Sequence, residues 1–306
     1  MDVFLDVLDT FVFDRLYAAI LPDKSTTPES SGLHNRHVQL YFPLQPSQWA
    51  DSSLWKRDDL LRQGISLFLI IWVFGLIMYL IGSTIMYHVF FDKTLLRHPK
   101  YLKGQIKMEI KQGLSAMPVM AILTAPIFLA EVRGWTKLYD FADESPFSLY
   151  TWLQYPLFIA FTDTGIYWIH RWLHLPAVYR RLHKPHHKWI VPTPFASYAF
   201  HPLDGWMQSL PYHIFPFIFP LQKRAYLGLF IFVTLWTVLI HDAEYLSESK
   251  IVNGPPCHTM HHLYFNYNYG QFTTFWDRLS GTYRKPYGDD LVGFQKKAAR
   301  VVSKQD

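Results

Sequence analysis

The chain has 306 residues, of which 50% are hydrophobic and 18% aromatic, with a formal net charge of +5 and one cysteine. A single cysteine excludes an intrachain disulfide framework, and so apolar a composition, gathered into long runs, excludes an ordinary soluble domain. The basic excess is concentrated between the apolar runs, where it orients a membrane protein, so no nucleic-acid partner is expected.

Residues 1–63 carry nine acids against six bases and begin MDVFLDVLDT, which lacks the basic start of a cleavable signal peptide. The first apolar run, residues 65–91, contains no Asp, Glu, Lys or Arg, and about 20 such residues cross a bilayer core. Residues 92–112 then carry Lys93, Arg97, Lys100, Lys103, Lys107 and Lys111 against Asp92 and Glu109. A second run, 114–130, leads into an acidic stretch, 131–148, with Glu131, Asp140, Asp143 and Glu144. A third run, 149–169, is broken only by Asp163. The fourth and fifth, 205–221 and 225–240, are separated by Gln222, Lys223 and Arg224.

The positive-inside rule puts the first loop in the cytosol and the second in the lumen, with residues 1–63 luminal as well. The last two runs form a hairpin that either spans the bilayer or is re-entrant, because its basic tip is out of place in a luminal loop. The expected fold is an all-α integral membrane protein with about four transmembrane helices and a cytosolic, helical, His-rich di-metal cap. The expected divisions are a luminal segment (1–63), membrane helices with a basic cytosolic loop (64–160), a catalytic region (161–287) and a cytosolic tail (288–306). That tail ends without a dilysine or KDEL-type retrieval signal.

Eight of the 15 histidines fall into three clusters: His170 and His174 in HRWLH, His183, His186 and His187 in HKPHH, and His258, His261 and His262 in HTMHH. Residues i and i+4 share a helical face, so each cluster offers a two- or three-toothed claw. Imidazole is the commonest neutral metal ligand, and three claws suit two ions. The orientation rule places all three clusters on one side of the membrane, independently of their spacing. His201 and His241 border the hairpin on that side and could complete the cage, their plain alternative being surface histidines bonded to Asp204, Asp242 or Glu244. Asp163 lies seven residues before His170, hence on its face, and an acid inside a membrane segment is costly. It is expected to orient a ligand imidazole or, alternatively, to serve helix packing. Asp204, Asp242 and Glu244 are further candidates for holding imidazoles. His213 lies too deep in the hairpin for more than packing, and Cys257 reads as a small buried neighbour of the third cluster. All-nitrogen ligation leaves zinc, iron, copper and nickel open. No HExxH, GxSxG or glycine-rich phosphate loop is present.

The order HxxxH, HxxHH, HxxHH resembles the membrane-bound fatty-acid hydroxylase and sterol desaturase superfamily. The stretches HKPHHKWIVPTPFASYAFHP, LPYHIFPFIFPL and HTMHHLYFNYNYGQFTTFWDRLSGTY are similar to those of the fungal C-5 sterol desaturases. The similarity runs from about Phe161 to Tyr287, and residues 1–60 carry no motif of the family. The resemblance implies a di-iron enzyme of the endoplasmic reticulum membrane that consumes O2 and introduces the C5–C6 double bond of a Δ7-sterol in ergosterol biosynthesis. Its electrons would come from NAD(P)H through cytochrome b5 and its reductase. The basic residues Arg180, Arg181, Lys184 and Lys188 would receive the acidic electron carrier. A flat apolar sterol would arrive from the bilayer into a slot lined by residues such as Trp168, Trp172, Phe195, Phe200, Tyr264 and Phe265. These aromatics read equally well as interface anchors. The rival readings are another di-iron hydroxylase or C-4 methyl oxidase of the superfamily and a metal transporter. Transporters, however, place their ligands near the bilayer midplane on broken helices.

Overall fold

Uninterrupted apolar sequence with few helix breakers gives long helices, and helix dominates the computed structural model, which describes residues 1–24, 34–242 and 249–286. In chain order the elements are α1 (Asp2–Leu8), a π-helical turn (Asp9–Phe13), α2 (Asp14–Ile20), α3 (Leu60–Val89), α4 (Gln105–Val132), β1 (Leu138–Tyr139), α5 (Tyr150–Leu173), α6 (Pro176–Val178), a second π turn (Tyr179–His183), α7 (Pro202–Ile218), β2 (Leu221–Gln222), α8 (Lys223–Ile240), α9 (Pro255–Tyr264) and α10 (Phe275–Leu279), with short 3-10 turns between them. Among the described residues, three helices have the length and hydropathy to cross a membrane: α3, α4 and α8. The third and fourth apolar runs form α5 and α7, which do not combine both properties: α7 has 17 residues, and α5 carries Gln154, Thr162, Asp163 and His170 among its apolar positions.

The chain divides into two compact units, one of residues 1–74 and 121–136, the other of 75–120 and 137–306. In the first, Leu5, Phe13, Tyr17 and Ile70 form a small core. Beside it, Arg62 donates to Asp9 (2.8 Å) and Asp14 (2.6 Å), and Arg57 donates to both oxygens of Asp14. Burial still pushes the Asp9 carboxyl up to about 6. The acids that counted only toward luminal charge in the sequence are therefore internal ion-pair partners.

The second unit holds the three histidine boxes. α5 and α7 pack closely because Gly165 faces Pro211: a Cβ there would lie 2.6 Å from the proline Cγ. Phe215 meets Phe158 and Phe161 edge-on along the same seam. At the opposite end from the boxes, β1 pairs in parallel with β2, and Lys223 Nζ lies 2.9 Å from Asp140. Lys223 at the tip of the hairpin is thus paired with the acidic stretch before α5. The segment after box two is anchored by buried polar groups: Glu109 of α4 accepts from Thr193 and from Gln105, which also donates to the Val191 carbonyl (2.7 Å). Tyr79 and Ser83 of α3 donate to the carbonyls of Phe195 and Pro194.

Candidate metal centre

Helix α5 ends at box one, so His170 and His174 lie one turn apart at its C-terminus. Box two starts in the π turn Tyr179–His183 and continues through successive turns, which accommodates Pro185 without a helix. Box three lies in α9, with Pro255 and Pro256 in its first turn, where a missing N–H costs nothing.

These elements gather the imidazoles into two groups. His170, His174, His183, His187 and His261 form one, and His186, His241, His258 and His262 the other; within each, the nitrogens lie within 4.8 Å of one another. Each i, i+4 pair stays in one group, while His186 and His261 cross to the group opposite their box neighbours. Nε2 atoms face each other at 3.1 Å (His170–His183), 3.2 Å (His174–His187) and 3.0 Å (His187–His261) in the first group. In the second the separations are 3.3 Å (His186–His241), 3.0 Å (His241–His258) and 3.1 Å (His258–His262).

The opposite ring nitrogens decide what those contacts mean. Nδ1 of His170 lies 3.0 Å from the Tyr269 carbonyl, that of His261 2.8 Å from Tyr267 O, and that of His241 2.7 Å from Thr237 O. Nδ1 of His183 lies 2.7 Å from Asp204 Oδ2. Acceptors at those positions fix the proton on Nδ1 and leave the lone pair on Nε2. The converging Nε2 atoms are then acceptors aimed at one another, an arrangement that a cation relieves. Neighbouring nitrogens about 2.1 Å from a shared ion stand about 3.0–3.4 Å apart, for ligand angles between 90° and the tetrahedral value, which the observed spacings fit. Burial, reinforced by the neighbouring imidazoles, holds His186, His187, His258, His261 and His262 well below the usual histidine range, and burial lowers His241 to about 4. Neutral imidazole is the form that ligates.

Of the ten candidate ligands, only His201 joins neither group. Its Nδ1 accepts the Leu203 N–H as the N-cap of α7, a role that the HP dipeptide at a helix start satisfies. Asp204 meets the imidazole of His183 rather than that of His201. Asp163 does not meet an imidazole: its carboxylate accepts the Gln271 and Phe272 N–H groups (3.1 and 2.7 Å) and the Thr273 hydroxyl. Helical phase put it on the face of His170, but the loop after α9 folds over that face. Asp163 therefore acts on the imidazoles only through that loop, whose Tyr267 and Tyr269 carbonyls hold His261 and His170. Asp277, not anticipated, does the same from the other side, accepting the Tyr269 and Gly270 N–H groups at 2.9 Å. An acid eight residues from the carbonyl it positions leaves no periodic signal. Asp242 is buried next to His241, whose Nδ1 is taken by Thr237 instead, and Glu244 lies outside the described residues. Cys257 is buried outside both groups, its thiol pushed up to about 12 by burial. His213 packs against Tyr212 and Phe230.

Both groups open on one pocket of about 70 Å³. His170 and His183 reach it from one group and His186, His241 and His258 from the other, and Ile166, Phe200, Tyr212, Val233 and Ile240 supply much of the wall. Among the six aromatics expected to line a slot, Phe200 does so. Phe195 is buried against Tyr79 and Tyr87, Trp168 and Trp172 are exposed, Tyr264 lies under the Arg284 guanidinium, and Phe265 packs on His187 and Tyr179. Arg180, Arg181, Lys184 and Lys188 are all exposed around box two.

A helical protein with membrane-crossing segments and two buried all-imidazole groups beside an apolar pocket belongs, as a class, with the histidine-box metalloproteins of membranes. The fatty acid hydroxylase family matches residues 155–282, which include all three boxes. The chain is 64% identical over 289 residues to the Delta(7)-sterol 5(6)-desaturase erg3B of Aspergillus fumigatus, covering 94% of this chain and 86% of that one. It is 52% identical over 316 residues to a probable Delta(7)-sterol 5(6)-desaturase of Neurospora crassa (100% and 92%), and 50% identical over 311 residues to a Delta(7)-sterol 5(6)-desaturase of Eremothecium gossypii (94% and 88%). The chain belongs to this family, the Delta(7)-sterol 5(6)-desaturases of the fatty acid hydroxylase group. No solved structure matches it.

Proposed function

We propose that the chain is an O2-dependent di-iron oxidoreductase that introduces the C5–C6 double bond of a Δ7-sterol in ergosterol biosynthesis. The observation that carries this reading is the opening of both imidazole groups on one pocket, in a chain so similar to Delta(7)-sterol 5(6)-desaturases. Bound in the two groups, iron would supply the electrons to reduce O2 and the oxidising strength to take hydrogen from unactivated carbons.

The protein's part is orientation and exclusion of water. The carbonyls of Tyr269, Tyr267 and Thr237 and the Asp204 carboxylate fix the tautomers and aim the lone pairs. Ile166, Val233 and Ile240 give the flat apolar substrate a dry wall, with Phe200 beside His186 closing it.

The finer assignments follow from this reading. The ligands are the eight box histidines and His241. Electrons arrive from NAD(P)H by way of cytochrome b5 and its reductase, docking on Arg180, Arg181, Lys184 and Lys188, whose exposure beside box two supports that role. The helices α3, α4 and α5 make one transmembrane passage each and the α7–α8 hairpin two more, and the β1–β2 pairing at the hairpin tip supports full crossing. The boxes face the cytosol of the endoplasmic reticulum, in keeping with the basic loop 92–112. Metal analysis of protein purified in mild detergent tests the centre: two iron ions per chain are expected, one for each histidine group, and zinc at a single site would contradict it.

A further inference from the structure

The pocket walls carry few polar groups able to address a ligand. The hydroxyls of Ser197, Ser209, Thr234 and Thr237 each donate to a backbone carbonyl at 2.6–2.9 Å, so their protons are spent. The Tyr198 and Tyr212 phenols on the wall are engaged with the Thr234 and Ser209 hydroxyls, and two side-chain amides remain, Gln208 of α7 and Gln271. Gln208 Nε2 donates to Asp204 Oδ1 at 2.8 Å, and the other oxygen of that carboxylate holds His183 Nδ1 at 2.7 Å. Among the described residues the Oε1 of Gln208 and its second N–H have no protein partner. Gln271 instead donates to a neutral hydroxyl, Thr237 Oγ1, at 3.1 Å.

We propose that Gln208 binds the 3-hydroxyl of the sterol and thereby sets C5 and C6 against the histidine groups. This rests on the desaturase reading. A sterol offers one polar group, a hydroxyl that both donates and accepts, and an amide matches both functions. The hydroxyl oxygen is three bonds from C5, so the group that holds it must stand close to the oxidising centre, and Gln208 is one carboxylate removed from a histidine of that centre. The bond to Asp204 also strengthens the amide carbonyl as an acceptor, because hydrogen bonds in series polarise one another. The hydroxyl then donates to the amide, and the amide and the His183 imidazole both donate to the Asp204 carboxylate that joins them. Gln208 is a specificity residue: without the sterol hydroxyl its half-buried amide loses that partner.

The test compares a Δ7-sterol with its 3-deoxy analogue on wild type, Gln208→Met and Gln271→Met. Anaerobic binding and kcat/KM for desaturation are measured, with metal content per chain as the control for folding. Wild type should favour the hydroxylated sterol by roughly ten- to a hundredfold. Gln208→Met should bring that ratio close to one by losing only the hydroxylated substrate, with metal content unchanged. A structural role for Gln208 would lower both substrates together and keep the ratio, which overturns the proposal, as does a collapse confined to Gln271→Met. If Gln208→Met loses metal, Gln208→Asn, which withdraws the amide by one methylene, repeats the comparison and should also lose the preference. Wild-type protein that neither binds nor converts any Δ7-sterol overturns the desaturase reading and this one with it, whereas conversion without a hydroxyl preference overturns this one alone.

Discussion

At the scale of single residues, the centre is set by which ring nitrogen is free. At His170, His183, His241 and His261 the Nδ1 proton is held outward, most firmly at His183, where the acceptor is a carboxylate. His261 bridges box three to the first group, facing His187 at 3.0 Å. His261→Ala should lower the metal content and cut turnover by more than about a hundredfold while membrane insertion persists. His201→Ala should retain both ions and lose only helix-cap stability of about 1 kcal/mol. Metal analysis and a turnover assay of both variants decide the matter, and equal losses would return His201 to the ligand set. Acid provides a second test. Histidines that ordinarily titrate near 6.5 are kept neutral here, His241 down to about 4. Below 6.5 the unfolded chain therefore binds more protons than the folded one, so stability rises with pH up to 6.5 and falls as pH drops toward 4. Metal retention after dialysis should follow the same window, intact at pH 7.5 and lost by pH 4; retention unchanged across it would mean that the imidazoles are not the ligands.

At the scale of elements, close approach positions the pocket. Gly205 of α7 lies under the Phe200 ring, and a Cβ there would come within 2.0 Å of it. Gly205→Ala must therefore push Phe200 off the wall it shares with His186. Turnover should fall at least about tenfold with metal content near wild type, a split that activity and metal measurements on one preparation reveal. The helical phase of HRWLH and HTMHH made the i, i+4 pairings legible in the sequence, because α5 and α9 are regular there. The crossing of His186 and His261 between groups was not legible, since it depends on the turn after the π segment and on how α9 meets α5. The same limit explains Asp163: periodicity gave its face but not the loop at 271–273 that covers it.

At the scale of the whole molecule, hydropathy located the long helices α3, α4, α5, α7 and α8, and the order of the boxes carried the resemblance that the family relatives bear out. Hydropathy did not foretell the folded structure within residues 1–63, because the Arg57 and Arg62 pairs with Asp9 and Asp14 look in sequence like scattered surface charge. Nor did it foretell that Lys223 would be matched by Asp140, a contact between positions 83 residues apart. The slot aromatics were poorly chosen for a related reason: aromatic side chains mark buried packing, lipid-facing surface and pocket wall alike, and only Phe200 proved to be wall. The central claim is that these histidine groups desaturate a sterol. The most direct measurement is the mass of sterol recovered after the protein, in membranes with cytochrome b5 and its reductase, is given a Δ7-sterol, NADH and O2. A product lighter by two hydrogens, formed by wild type and not by His261→Ala, is the predicted result. A product heavier by one oxygen, or a desaturated product formed equally by His261→Ala, would contradict it.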